Sequence, residues 1–504
     1  MAVEQTPRSL CSVILFYILC AVLPCCNSLK ILQIVPGFTN SHVLFNYRLS
    51  ETLISLGHEV RLWTQMEMNM VFTGDFVLPP NVTELRIPIV FKDTLKTEGL
   101  KVFQSMMFNR GSAYDLWWTG QEFKDMRDEQ FDLAIGHFHD LCPLALAKKV
   151  GVGKVIWITH GTSVYDFTAV QIGLRTFPAF VPHPLSSCGD RMDFSDRVIN
   201  FLWHMSTLDF VNLPENLLRE ENEMYKREFI KDNEPDLWEL SQNVDVLLVN
   251  GERFLDFPRP LPMGIAFLGQ VGHSKKHARR TLPTNIEEVY ARSKKGVVIF
   301  SLGTVSNTTN MPDHMAQSFV EGFARFPEYD FIWKTEMHVS EADMYQNIHL
   351  MRWIPQKELM KHPKTKLLIA HGGYNSFLEA SQAGLPIVLM PLFADQFINA
   401  ERARRFGIVE VLDKLNLSAE IIASAISKVL GDPRYAKNAI KLGAMLSDKP
   451  SDDQYAALKY SLKLATVPRP HFALKAAQKL NIVQFYNYDL ILPAILCILL
   501  IAFK

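Results

Sequence analysis

Apolar residues fall along this chain in two rhythms, short unbroken runs and stripes at helical spacing. The run LKILQIVP, Leu29 to Pro36, predicts a buried strand. Phe45, Leu49, Leu53 and Leu56 follow at the spacing of one helix face, and Gly57 stops that helix. EVRLW, Glu59 to Trp63, is the next strand, which makes a βαβ opening and predicts a parallel sheet covered on both faces. FDLAIG (Phe131 to Gly136), KVIWITH (Lys154 to His160) and DVLLVN (Asp245 to Asn250) read as later strands. The charged stretch Ser206 to Asp236 alternates in sign, as a solvated helix does. Glycines, basic residues and prolines from Phe267 to Thr284 break the pattern and read as a linker. A second βα series then starts at Gly296. It contains VVIFSL, a helix after Pro312 that buries Met315, Phe319 and Phe323, and the strand FIWK at Phe331 to Lys334. Later come a strand at Leu367 to Ala370 and a helix at Tyr374 to Ala383. The last helices, Gln454 to Leu464 and Ala473 to Leu480, are expected to lead back to the first domain. The predicted fold is α/β, with two doubly wound Rossmann-like domains facing across a cleft.

Length agrees, since 504 residues exceed what a single core supports. A net charge of −1 without a long basic run argues against nucleic acid as a partner. Residues 1–28 have the form of a secretory signal, with Arg8 at the charged start, an apolar centre from Leu10 to Leu23, and small residues Cys26 and Ser28 before a core strand. Of seven cysteines, Cys11, Cys20, Cys25 and Cys26 would leave with that signal and Cys497 lies in the apolar tail. Cys142 and Cys188 could pair, but this is no disulfide scaffold. No Cys/His cluster has zinc spacing. The segment 486–503 is expected to be a transmembrane helix anchored by Tyr486 and Tyr488. Signal and span together predict a luminal body at the endoplasmic reticulum membrane, where the sequons at Asn81, Asn307 and Asn416 could carry glycans.

The richest chemistry lies in WIPQKELMKHPKTKLLIAHGGYNSFLEASQAGLPIVLMPLFADQ, Trp353 to Gln396. His371, Gly372 and Gly373 fall where a strand turns into a helix. Unpaired N–H groups and the helix dipole make such a turn an anion site, and two glycines let the backbone approach a phosphate closely.

This stretch closely resembles the signature of the UDP-glycosyltransferase family, the group that includes the membrane-bound UDP-glucuronosyltransferases. The likeness extends to VVIFSLGT at Val297 to Thr304, to PAFVPHPLSS at Pro178 to Ser187, and to the layout of both ends. The resemblance implies the two-domain GT-B architecture and a UDP-sugar site. Trp353 would stack on uracil with Gln356 near the base, and His371, Asn375 and Ser376 would contact the diphosphate. Glu379 would accept from the ribose hydroxyls, and Asp395 and Gln396 would hold the sugar. Gly373, with the loop of Ser301, Gly303 and Thr304, would place backbone donors around the leaving phosphate. Ala370 departs from the family, which usually has Ser or Thr before the histidine. No DxD-like acidic pair sits at a strand end and family members need no metal, so neither metal nor cofactor is expected, the UDP-sugar being a co-substrate.

The acceptor base should stand on the first domain at the carboxyl end of a strand. His42, in GFTNSH between the first strand and first helix, matches the family's catalytic histidine, and imidazole suits proton abstraction near neutral pH. The family generally places an Asp after the strand corresponding to FDLAIG. Here the aligned residue is His137, with Asp140 three residues on. Asp140 could orient His42, His137 could do so as a neutral acceptor, or catalysis could be impaired.

The expected organisation is a signal at 1–28, an acceptor-binding domain at 29–283, a UDP-sugar-binding domain at 284–466, a return segment at 467–485 and a span at 486–503. The expected activity is transfer of a glucuronosyl or glucosyl group from UDP-glucuronate or UDP-glucose to a small lipophilic acceptor, with inversion. Homo- or hetero-oligomers are compatible with it. Competing readings are a UDP-sugar epimerase or hydrolase and a noncatalytic UDP-sugar-binding partner.

Overall fold

A computed structural model describes residues 28–37, 40–67, 77–89, 121–137, 141–159, 161, 166–207, 222–223, 225–227, 234–244, 246–269, 271, 282–303, 308–448, 453–466 and 474–502. The signal segment, Asp140, Thr304 and Asn307 lie outside the described residues.

Two parallel sheets form the frame. The first contains β1 (Lys30–Gly37), β2 (Glu59–Glu67), β3 (Val82–Ile89), β4 (Leu133–His137), β5 (Val155–Thr159), β6 (Leu247–Val249) and β7 (Ile265–Phe267), in the order β3-β2-β1-β4-β5-β6-β7. The second contains β8 (Gly296–Ser301), β9 (Tyr329–Lys334), β10 (Ile348–Met351), β11 (Thr365–Ala370), β12 (Ile387–Leu389) and β13 (Val409–Val411), in the order β10-β9-β8-β11-β12-β13. Every pairing is parallel. Each sheet therefore reverses its winding once, between β1 and β4 in the first and between β8 and β11 in the second. Such reversals open a crevice beyond the carboxyl ends of the strands.

Helices cover both faces of each sheet because the strands are apolar on both. In the helix Asn40–Ser55, Phe45, Leu49 and Leu53 are buried as the stripe requires, whereas Leu56 falls past the helix end and is only partly covered. Under the second sheet Phe300, Phe319, Phe323, Phe331 and Trp333 pack as one aromatic cluster, with Phe300–Phe319 and Phe323–Phe331 centroids each 4.3 Å apart. Burying a side chain the size of Phe319 contributes about 1.5–3 kcal/mol, so this cluster anchors the strands that end at the site.

Two segments cross between the halves. Residues 252–259 lie between β6 and β7 in sequence, yet Leu255 packs into the second core. At the other end the helix Asp453–Thr466 returns, and Leu458 and Leu462 join the core of the first sheet. Beyond it Leu474 N donates to Ile172 O (2.9 Å), Gln478 Nε2 to Gln242 O (3.0 Å) and Arg175 Nη2 to Leu480 O (2.8 Å).

The expected transmembrane segment is not supported. Among the described residues no helix is long and apolar enough to cross a membrane. The helix Tyr488–Ala502 has 15 residues, about 22 Å of rise against roughly 30 Å of hydrocarbon. Its apolar side chains, such as Leu492 and Leu500, are exposed. Cys142 and Cys188 are buried thiols and not a disulfide. Most of the charged stretch 206–236 lies outside the described residues, but Tyr225 within it is fully buried.

Candidate active site

In the second sheet β11 and β8 are neighbours and end side by side, Ala370 opposite Ser301. The turns that follow them, His371–Gly373 and Leu302–Gly303, meet. The imidazole of His371 lies between two glycines: a Cβ on Gly303 or on Gly373 would stand 2.6 Å from a ring atom. Gly303 also holds φ +81°, which only glycine adopts without strain. Burial pushes His371 down to about 4, with Lys334 adding to the effect, so the ring is neutral at physiological pH. Its Nδ1 is closed off from solvent and has no hydrogen-bond partner among the described residues. Lys334, at the end of β9, donates to Gly303 O (3.0 Å) and to Glu336 Oε1 (3.1 Å), and so fixes the glycine turn from behind. From the sequence Lys334 reads only as a strand end.

Trp353 follows β10 and remains 46% exposed, a large aromatic left uncovered by the core. Next to it Gln356 Nε2 donates to Ser376 Oγ (3.1 Å), which ties the tryptophan loop to the helix Tyr374–Ala383. Asn375 is exposed in the first turn of that helix, and Glu379 is partly buried one turn on. Burial pushes the Lys357 ammonium down to about 8 against the opposing pull of Glu379, and Lys361 and Arg48 push it further. Arg48 comes from the first half, so this corner of the crevice faces the opposite domain.

After β12 the chain reaches Asp395 and Gln396. Burial raises the Asp395 carboxyl above its usual range, although Asn399 and Arg402 pull the other way. A Cβ on Gly161, just past β5 of the first half, would lie 3.7 Å from Asp395 Oδ2. Gln396 is buried, and its Oε1 accepts from Leu392 N (2.7 Å) and Phe393 N (3.1 Å), so that oxygen shapes the loop.

Across the crevice His42 and His137 meet at the reversal of the first sheet. His42 stands in the first turn of the helix Asn40–Ser55, where the sequence suggested a loop, and His137 ends β4. Their ring centroids are 6.2 Å apart at 29°. Asn46 links them: its Nδ2 donates to His42 O (2.9 Å) and contacts His137 Nε2 (3.1 Å). Gln33 Nε2 donates to Asn46 Oδ1 (2.6 Å), and Ser50 Oγ donates to Gln33 Oε1 (3.0 Å). Gln33 is the polar residue inside the run LKILQIVP, a signal in the sequence that points to this buried network. Asn46 carries no such mark.

The arrangement presents a glycine turn at a strand–helix junction, an exposed aromatic beside it and, opposite, a histidine pair. Among the described residues no group of three or more His, Cys, Asp or Glu could hold a metal ion. Two parallel sheets facing in this way are the GT-B-like fold of a glycosyltransferase, and solved structures of that class superpose on it. The glycotransferase of kitacinnamycin and the spinosyn forosaminyltransferase SpnP each give a TM-score of 0.57 at 16% identity, covering 88% and 87% of this chain and 100% of their own. Residues 93–504 match the family model described as "UDP-glucoronosyl and UDP-glucosyl transferase", and the chain belongs to that family of UDP-glycosyltransferases. It is 56% identical to "Putative UDP-glucuronosyltransferase ugt-60" of Caenorhabditis elegans over 96% of this chain and 99% of that one. UDP-glucuronosyltransferase 1A4 of Oryctolagus cuniculus is 27% identical over 82% of this chain and 75% of its own length.

Proposed function

We propose that this enzyme transfers a glucuronosyl or glucosyl group from a UDP-sugar to a small lipophilic acceptor, inverting the anomeric carbon, with His42 as general base. The observation that carries the reading is the opposition of two sites at the two sheet reversals. His371 packed between Gly303 and Gly373 forms the leaving-group side, and His42 beside His137 forms the acceptor side. In this reading Trp353 and Gln356 take the uracil, and Glu379 takes the ribose. His371, Gly373, Asn375, Ser376, Ser301, Gly303 and Thr304 surround the diphosphate, and Asp395 and Gln396 hold the sugar. Donors fixed before reaction stabilise developing phosphate charge without reorganising. The orienting partner of His42 is Asp140 or His137, and the placement of the His137 ring beside that of His42, 6.2 Å between centroids, supports His137 as part of that machinery.

The same reading puts the body in the lumen of the endoplasmic reticulum, held at the membrane by the exposed apolar segment that contains the helix Tyr488–Ala502. Asn81, Asn307 and Asn416 would accept glycans there, and Asn81 and Asn416 are exposed. Membranes holding the full chain, incubated with labelled UDP-glucuronate or UDP-glucose and a panel of phenols, test the activity. Glycoside formation supports the proposal, whereas release of free sugar alone sinks it. His42→Ala should abolish turnover while UDP still binds; loss of both together would assign His42 to the fold.

A further inference from the structure

The helix Gln396–Arg405 begins at the sugar side of the site and runs toward the junction of the two halves. Asp395, Asn399 and Arg402 stand at i, i+4 and i+7 and therefore share one face of it. Asn399 Nδ2 donates both to Asp395 Oδ2 (3.1 Å) and to Gly372 O (2.9 Å). One amide thus holds a carboxylate of the sugar subsite together with a peptide of the phosphate turn. The amide cannot rotate, because Arg402 Nη1 donates to its Oδ1 (2.6 Å). Arg402 is itself fixed from the other half of the chain: its Nε (3.1 Å) and Nη2 (2.7 Å) both donate to Asp256 Oδ1. Asp256 Oδ2 accepts from Arg259 (2.6 Å), and Arg405 donates to the Asp256 carbonyl (3.0 Å). Arg402 is 1% exposed and Asp256 4%, so the pair is shielded from solvent and salt.

We propose that Arg402, held by Asp256, is a positioning residue for the donor sugar, acting through Asn399 on Asp395 and on the Gly372 peptide. The inference rests on the donor-site reading above. The planar guanidinium serves Asp256 with two nitrogens and Asn399 with a third, a fixed fork that the single nitrogen of an ammonium does not reproduce. A segment of the first half, 252–259, thereby sets the geometry of a site built in the second half.

A double-mutant cycle tests this, with kcat/KM for the UDP-sugar as readout and UDP affinity and thermal midpoint measured alongside. Arg402→Lys, which keeps the charge that Asp256 needs, should lower kcat/KM about tenfold. In an Asp395→Asn background the same change should cost less than about twofold, because residues acting through one another are not additive. Asn399→Ala should behave as Arg402→Lys does. Losses that add in full, or an Arg402→Lys enzyme with wild-type kcat/KM, would overturn the proposal. If instead Asp395→Asn alone leaves kcat/KM unchanged, or the unaltered enzyme fails to bind UDP-sugar, the donor-site reading is what has failed.

Discussion

Gly303 and His371 touch so closely that a single added carbon on the glycine would stand 2.6 Å from the imidazole Cε1. The two residues come from turns 68 positions apart in the chain, and β8 and β11 bring them together by ending at the same level. Gly303→Ala must then displace the ring and also bear φ +81°, a strain of about 1–2 kcal/mol. UDP affinity should fall at least about tenfold by calorimetry. An alanine variant that binds UDP as the unaltered enzyme does would remove His371 from the phosphate site.

The same histidine gives a pH dependence. Folding holds His371 down at about 4, against 6.5 in the unfolded chain. Between those values the unfolded chain takes up a proton that the folded ring refuses. Stability from this group is therefore intact above pH 6.5 and declines as pH falls toward 4, by about 3 kcal/mol in all. Urea unfolding at pH 7, 5.5 and 4 should show this loss, and His371→Asn should flatten it. Equal slopes in the two proteins would exclude the histidine as the source.

Trp353 separates binding from stability. Nearly half exposed, it contributes little to either core, whereas stacking on a base is worth about 1–3 kcal/mol. Trp353→Ala should weaken UDP binding by that amount and leave the thermal midpoint almost unchanged. A large drop in midpoint with UDP affinity retained would make it a packing residue.

His137 offers the sharpest test of the acceptor side. An Asp at this position would restore the carboxylate that the family generally carries there, and it could still accept from Asn46 Nδ2, now 3.1 Å from the histidine. A carboxylate stabilises the imidazolium of the base, which moves the acidic limb of the kcat/KM profile to higher pH. His137→Asp should show that displacement and a kcat higher on the order of tenfold. A lower kcat with the limb unmoved would mean that the imidazole of His137 serves this enzyme directly.

Much of the frame is legible in the linear pattern because parallel strands buried on both faces need unbroken apolar runs. LKILQIVP, VVIFSL and Leu367 to Ala370 are such runs, and β1, β8 and β11 coincide with them to within one or two residues. The helix at Tyr374–Ala383 is bounded as its stripe indicates. Edge strands leave weaker marks: in β3, VTELRIPI, apolar residues are interrupted by polar ones, and β13 has only three residues. The tail is plainly apolar in sequence, yet its helix has 15 residues, and periodicity alone did not fix that length.

Taken alone, the residues 353–396 hold most of the groups of the proposed donor side, because a strand, a turn and the helix after it lie within one continuous stretch. What tertiary structure alone decides is every relation between distant segments. It sets His42 beside His137 by making β1 and β4 parallel neighbours, and Asp256 against Arg402 across the junction. Apolar periodicity reports only which face a residue turns inward, not which other buried polar group it will meet. Those meetings depend on strand order and on how the two sheets pack, and neither is written in any local spacing.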